Sequence, residues 1–178
     1  MHVGLLILRV VVGLLLVGHG TQKLFGWFGG HGLEGTGQFF HNLGYRPGRP
    51  MAFLAGLGEA GGGALLALGF LTPLAGAAII GTMMNAGIAV HRGKGPWASN
   101  GGWELPLTYG SVGAATAFIG AGRYSIDHAL GWKLAGNGWG GAALLAGVIA
   151  GLVTLAIRAT ALRHDVVVPE AQHARHAA

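Results

Sequence analysis

The sequence has no cysteine and few charged residues, and both deficits restrict what the protein can be. The absence of cysteine excludes disulfides, thiol catalysis and thiolate-bound metal clusters. Only 10% of the residues are charged, whereas soluble domains carry about 25%. Together with 52% hydrophobic residues and a mean hydropathy of +0.54, this composition indicates an integral membrane protein.

The sequence also lacks the motifs of several enzyme and binding classes. It has no phosphate-binding loop and no nucleophile elbow, and the glycine-rich segment 56–63 follows no strand pattern. We therefore interpret these glycines as helix-packing residues rather than as a dinucleotide site. There is no basic patch with interleaved aromatic residues, so nucleic acid is not an expected partner. The net charge of +5 suits an anionic lipid surface instead.

Five apolar segments predict membrane-spanning helices, since about 20 helical residues cover the ~30 Å hydrocarbon core of a bilayer. A short interfacial helix, 36–43, with Thr36 as its cap and Phe39, Phe40 and Leu43 towards lipid, is expected between the first two. The predicted fold class is an all-α membrane protein, a four-helix transmembrane bundle plus a fifth C-terminal transmembrane helix. The predicted spans are 3–20, extending towards residue 24, then 51–70, 74–90, 105–121 and 139–157, where Arg158 stops the last helix.

Lysine and arginine distribute unequally between the two sides of this bundle, which predicts its orientation. The side with three such residues holds Arg9, Arg123 and Lys133. The side with eight holds Lys23, Arg46, Arg49, Arg92, Lys94, Arg158, Arg163 and Arg175. The positive-inside rule then places the N-terminus outside and the C-terminus in the cytoplasm of a multi-pass protein of the cell membrane. Arg9 lies inside the first span, where we expect it to snorkel to the near interface, with a buried pairing as the alternative.

Glu59 is the only ionisable residue in the predicted second span. An unpaired carboxylate at the centre of a membrane helix costs about 2.5–3.5 kcal/mol or more. Glu59 must therefore be protonated, paired or facing water. Lys23 and His19, four residues apart on one face of the first helix, lie nearest to it in depth.

The directions of the helices place nearly all other polar groups in the same half of the bilayer as Glu59. This asymmetry predicts a polar cavity open to the basic side. Its predicted ligand-binding residues are His19, Lys23, Glu59, Asn85, His91, Glu104 and Tyr109. Simpler roles remain open: Asn85 as a hydrogen-bonding residue between helices, and His91 and Glu104 as helix-end residues favoured by the macrodipole.

Several motifs together resemble the DoxX family of small membrane proteins. They are RVVVGLLLVGHGTQKLFG (9–26), GLGEAGGGALLALGFLTPLAG (56–76), MMNAGIAVHRGKG (83–95), GGWELPLTYG (101–110) and GAGRYSIDHAL (120–130). The resemblance implies a DoxX-like four-helix membrane domain over residues 1–130. An additional transmembrane helix within 131–160 and a disordered polar tail, 161–178, would follow it. Arg123 and Asp127 are among the matching positions, and we expect them to pair and cap the fourth helix.

The resemblance also implies a link to oxidoreductases, because family members include a subunit of thiosulfate:quinone oxidoreductase. The first hypothesis is therefore an integral membrane subunit of a redox system, with a quinone headgroup in the cavity and partner oxidoreductase subunits beside it. The second is a non-catalytic membrane scaffold or assembly protein for such a partner. The third is a small proton-coupled transporter with Glu59 as its relay, against which stands the lack of an inverted repeat. Each of the three is compatible with a homo-oligomer.

Two further cofactors are weaker alternatives to a quinone. His19 and His91 come from different helices near one side and would be the ligands of a haem. With Glu104 they would instead form a nitrogen and carboxylate set for zinc or iron. No HxxxH or HExxH motif accompanies these residues, and the catalytic residues, if any, cannot be assigned from the sequence.

Overall fold

The computed structural model describes residues 2–176, with side chains for residues 2–164. This part of the chain contains helices and no strand. After α4 the helix continues as a π-helical turn, Ala86–His91, and a 3₁₀ turn, Arg92–Lys94. The helices are α1 (His2–Phe25), α2 (Gly32–Asn42), α3 (Gly48–Leu68), α4 (Thr72–Asn85), α5 (Glu104–Ile119), α6 (Ile126–Ala129) and α7 (Asn137–His176).

Four helical segments among the described residues are long and apolar enough to cross a membrane. They are His2–Phe25, Gly48–Leu68, Thr72–Lys94 and Asn137–His164. The prediction of an all-α, multi-pass membrane protein is therefore confirmed. The count of five spans is not, because α5 has only 16 residues and covers about 24 Å.

Glycines allow the helices to pack with their backbones in close contact. A Cβ atom placed on Gly13 of α1 would lie 2.5 Å from the carbonyl oxygen of Gly63 on α3. A Cβ atom placed on Gly76 of α4 would lie 2.7 Å from the carbonyl oxygen of Gly113 on α5. One placed on Gly147 of α7 would lie 2.7 Å from the carbonyl oxygen of Ala77 on α4. A side chain larger than hydrogen would force these helices apart, so the predicted packing role of the glycines is confirmed.

The core lies where α1, α3, α4 and α5 meet. Leu16, Leu66 and Ile79 are completely buried there, and Tyr109 is 8% exposed. α7 packs against α4 and α5, outside this group of four. It therefore belongs to the same bundle, although it follows the four-helix region in sequence.

Two predicted helix ends differ from the structure. α2 begins at Gly32, one turn before the expected start, so Thr36 lies inside the helix, where it is buried, and does not cap it. α7 does not stop at Arg158 but continues to His176. The prediction of a disordered tail, 161–178, is thus wrong for residues 161–176, which are helical, and its last two residues lie outside the described part of the chain.

Arg9 is completely buried, so the prediction that it snorkels to the interface is wrong and the alternative of a buried pairing holds. Its Nη1 atom donates to the carbonyl oxygens of Leu66 and Ala67 at 3.4 Å, and its Nη2 atom donates to that of Tyr124 at 2.5 Å. The last carbonyls of a helix have no partner within it, and α3 ends at Leu68. The arginine stays inside because it satisfies these groups.

Asp127 is also buried, and it caps α4 instead of pairing with Arg123. Its two carboxylate oxygens accept from the backbone N–H groups of Leu71 and Thr72 at 2.8 and 3.0 Å, and Oδ2 accepts from the Thr72 hydroxyl at 2.6 Å. The predicted pair with Arg123 is wrong, since Arg123 is exposed. The free N–H groups and the positive dipole end of α4 attract the carboxylate more strongly than a solvated arginine does.

Candidate functional site

A cavity of about 380 Å³ lies at the end of the bundle where α1 ends and α3 begins. Its walls come from α1, α2, the segment before α3, α3, α4 and α7. Most of the lining is apolar or aromatic. The residues that face it include Phe39, Phe40, Met51, Leu54, Ala55, Gly58, Ala77, Ala78, Val90 and Ala150, with Lys23, Tyr45, Glu59, Thr82, Asn85 and Thr154 as the polar members.

Lys23 and Glu59 form an ion pair in the wall of this cavity. The Lys23 Nζ atom lies 2.5 Å from Glu59 Oε2. The Glu59 side chain is 5% exposed and that of Lys23 is 26% exposed, so the pair lies between the protein interior and the open space. Of the three states considered for Glu59, pairing is the one found, and it offsets the cost of placing a carboxylate in an apolar helix.

Asn85 connects three parts of the chain beside the ion pair. Its Nδ2 atom donates to the carbonyl oxygens of Gly81, in its own helix, and Gly151, in α7, at 3.0 and 3.2 Å. Its Oδ1 atom accepts from the Tyr45 hydroxyl at 2.7 Å. The π-helical turn begins directly after Asn85, and such turns are frequent at functional sites. Asn85 is thus both an interhelical hydrogen-bonding residue and part of the cavity wall.

Tyr45 is held in place by α7. The Arg158 guanidinium lies 5.9 Å from the centroid of the Tyr45 ring, and its Nε atom donates to the carbonyl oxygen of Leu43 at 2.7 Å. Burial raises the pKa of the Tyr45 hydroxyl, and the charge of Arg158 opposes this only in part. The hydroxyl therefore stays protonated and available as the donor to Asn85.

Of the seven residues predicted from the sequence, Lys23, Glu59 and Asn85 line the cavity. His19 and Tyr109 do not. They face each other between α1 and α5, with ring centroids 6.1 Å apart. Helical spacing placed His19 on the face of Lys23, but α5 occupies the space in front of it.

His91 and Glu104 also lie outside the cavity, where they fasten the loop between α4 and α5. The Nδ1 atom of His91 is 2.5 Å from the carbonyl oxygen of Gly101, and Glu104 accepts from the backbone N–H of Ala98 at 2.8 Å. Their simpler helix-end roles account for both. Among the residues whose side chains the structure describes, no group of three His, Asp or Glu residues is close enough to hold a metal ion.

Sequence reasoning missed the aromatic residues of α2, Tyr45 and the contribution of α7. Phe39 and Phe40 were expected to face lipid, and Phe39 is indeed 46% exposed, yet both line the cavity. Thr154 faces the cavity from α7. Its position three residues after Gly151 and four before Arg158 is a signal that could have identified this face of the helix.

The fold and the cavity define a multi-pass helical membrane protein with a mostly apolar cavity and an ion pair in the cavity wall. The family model DoxX matches residues 4–92, half of the 178 residues. The chain belongs to the DoxX family. The match includes Lys23, Glu59 and Asn85, whereas α5 and α7 follow it in sequence. No curated protein and no solved structure matches the chain.

Proposed function

We propose that this protein is an integral membrane subunit of a redox system and binds a quinone headgroup in the cavity. The observation that supports the proposal is the combination of about 380 Å³ of mostly apolar space with an ion pair in its wall. Small-molecule sites in proteins have this character, with an apolar lining and a few polar groups that fix orientation. The family's link to oxidoreductases makes a quinone the ligand to test first.

The polar residues of the cavity suit a quinone, which has a flat apolar ring and two carbonyl oxygens that accept hydrogen bonds. A lysine ammonium has three N–H donors, and the bond to Glu59 occupies one of those on Lys23. The remaining donors can reach one carbonyl oxygen, and the Glu59 carboxylate is a proton acceptor beside it. Phe39 and Phe40 provide aromatic surface for the ring.

The proposal is tested by purifying the protein in mild detergent and identifying the extracted lipids by mass spectrometry. We expect a quinone in near-stoichiometric amount with the unmodified chain. Gly58→Leu should remove it, because a Cβ on Gly58 would lie 2.5 Å from the Thr82 hydroxyl and its further atoms would occupy the cavity. Gly61→Leu is the matched control, since its Cβ would meet only Leu57, at 3.8 Å.

Two results would contradict the proposal. One is the absence of quinone from the unmodified protein together with the absence of any quinone-dependent activity. The other is equal retention of quinone by Gly58→Leu and Gly61→Leu. Should Gly58→Leu fail to accumulate, Lys23→Met removes the donors without adding volume, and it should lower the bound quinone.

A non-catalytic scaffold for a partner oxidoreductase is the second candidate. The observation in its favour is that Asn85 and Tyr45 already satisfy each other and the backbone within the protein. A scaffold predicts that Glu59→Gln leaves assembly with the partner unchanged. Loss of the complex in Glu59→Gln, with normal amounts of the protein itself, would argue against it.

We also propose that α5 is a fifth crossing, with the N-terminus outside and the C-terminus in the cytoplasm. Arg9 is buried and is not a topology signal, so the basic side keeps eight lysines and arginines against two, Arg123 and Lys133. Because the chain has no cysteine, single Lys94→Cys and Lys133→Cys variants can be labelled in intact cells with a membrane-impermeant maleimide. Only Lys133→Cys should react. Labelling of Lys94→Cys alone would contradict the proposal and indicate the opposite orientation.

A further inference from the structure

A second concave region, which we call the α4–α5 groove, has a volume of about 500 Å³. α4 and α5 form its sides, and Leu144 of α7 closes one end. Nearly all of the lining is apolar. The residues are Ile80, Met83, Met84, Gly87, Ile88, Pro106, Leu107, Gly110, Ser111, Ala114 and Leu144, with Arg92 and Trp103 at the other end.

The α4–α5 groove is distinct from the cavity that contains Lys23 and Glu59. On α4 and the π-helical turn that continues it, the cavity is lined by residues 77, 78, 81, 82, 85, 86 and 90, whereas the groove is lined by 80, 83, 84, 87 and 88. The two sets share no residue and lie on different faces of the helix. A ligand of the groove is therefore independent of the proposed quinone.

The dimensions of the groove match one leaflet of a bilayer. From Ile80 to Arg92 the helix advances about 12 residues, or ~18 Å, slightly more than half of the ~30 Å hydrocarbon core. Its deep end, at Ile80 and Leu144, therefore lies near the bilayer midplane. Its shallow end, at Arg92 and Trp103, lies at the level of the headgroups on the basic side, where tryptophan is commonly found.

The shallow end carries a cation without a protein partner. Arg92 is exposed, and its side chain has no hydrogen bond or ion pair among the residues whose side chains the structure describes. A guanidinium pairs with a phosphate by two parallel hydrogen bonds. The groove thus offers an apolar channel of acyl-chain length with a phosphate-binding group at its mouth.

We propose that the α4–α5 groove binds one anionic glycerophospholipid of the basic-side leaflet. One acyl chain lies between α4 and α5, and the phosphate pairs with Arg92. Glycines keep the channel open: a Cβ on Gly110 would contact Met83 at an ordinary 3.5 Å, and one on Gly87 would contact Pro106 at 3.7 Å. Any further side-chain atoms at these positions extend into the space of the acyl chain.

The test is native mass spectrometry of the full chain in mild detergent, titrated with phosphatidylglycerol and with phosphatidylcholine of the same acyl chains. Both lipids carry a phosphate, but the choline cation of phosphatidylcholine neutralises its own headgroup. We therefore expect the net negative phosphatidylglycerol to bind about fivefold more tightly, the contribution of one arginine beside an anionic lipid. Arg92→Gln should abolish this preference. Lys94→Gln, which removes an exposed cation two residues away and outside the groove, should keep it. Gly110→Leu should weaken the binding of both lipids.

Three outcomes would overturn the proposal. The first is equal binding of the two lipids by the unmodified protein. The second is the same loss of preference in Arg92→Gln and Lys94→Gln, which would indicate a diffuse basic surface. The third is unchanged binding of both lipids by Gly110→Leu. If Gly110→Leu does not fold, the comparison of Arg92→Gln with Lys94→Gln still decides the question, because both change exposed side chains.

Discussion

Among the residues whose side chains the structure describes, Arg9 with Asp127 and Lys23 with Glu59 are two pairs of opposite charges inside the bundle, one near each end, and their surroundings differ. Arg9 and Asp127 are 0% and 3% exposed, and each bonds mainly to backbone groups at the ends of helices. Their charges attract each other without a direct ion pair. Lys23 and Glu59, in contrast, contact each other directly, and they face a cavity.

This difference separates a structural site from a candidate binding site. The carbonyls at the end of α3 and the N–H groups at the start of α4 have no helical partners. Arg9 and Asp127 are the hydrogen-bonding partners of these groups, so the positions of both charges are explained without a ligand. The Lys23–Glu59 pair satisfies no helix end. It keeps two charges beside an open space at a cost in desolvation, and binding a ligand would explain why the charges lie there.

Asp127→Asn should have the largest effect on stability. The amide offers one acceptor oxygen in place of two, and it leaves the buried Arg9 without its nearest opposite charge. Hydrogen bonds to a charged group are worth about 1.5–3 kcal/mol each, so weakening the three that Asp127 accepts should cost about 3–5 kcal/mol. Thermal unfolding in detergent, followed by circular dichroism, measures the loss. Arg123→Gln, four residues earlier and exposed, is the control and should change stability by less than ~0.5 kcal/mol. Equal effects of the two variants would mean that Asp127 does not fasten α4.

Lys23→Met should have an intermediate effect. It leaves the Glu59 carboxylate unpaired in an apolar wall, for which we expect a loss of about 2 kcal/mol, less than for Asp127→Asn because Lys23 is partly exposed. The double variant Lys23→Met with Glu59→Gln should recover part of that loss, since no charge is left without a partner. A double-mutant cycle on unfolding midpoints checks this. Strict additivity of the two changes would show that the ion pair contributes nothing.

The two charged sites also differ in how well the sequence predicted them. Lys23 and Glu59 lie within long regular helices, so the rise per residue and the helix directions were enough to place them at one depth. The bonds of Arg9 and Asp127 depend on where α3 ends and α4 begins, and on the loop that brings α6 to this turn. Such contacts arise only from tertiary packing. The sequence pattern therefore suggested a snorkelling arginine and a local pair with Arg123 instead.

Three of the seven residues predicted from the sequence line the cavity, and the other four do not. Depth along the helices identified Lys23, Glu59 and Asn85, but depth alone does not distinguish the faces of neighbouring helices. His19 and Tyr109 lie at the expected level and face each other. Tyr45 gave no signal because it lies in an irregular segment, and its position depends on Arg158, more than a hundred residues later. The sequence predicts α7 as an additional helix after the four-helix domain, whereas in the structure Ala150 and Thr154 of α7 form part of the cavity wall.

Tyr45→Phe should have the smallest effect on stability, and it tests the contribution of a neutral side chain in the cavity wall. It removes the hydrogen bond to Asn85 and keeps the ring beside Arg158, so the expected loss is about 1 kcal/mol. Tyr124→Phe is the control, since Arg9 contacts the Tyr124 backbone carbonyl and not its ring. Because burial raises the pKa of the Tyr45 hydroxyl, the folded protein holds this proton more tightly than the unfolded chain does. The contribution of the Tyr45 hydroxyl to the free energy of unfolding should therefore be complete below pH ~10 and decline as the pH rises through the folded pKa. Unfolding midpoints of both variants across alkaline pH measure this, and a Tyr45→Phe protein with the same alkaline decline as the unmodified chain would remove Tyr45 from the explanation.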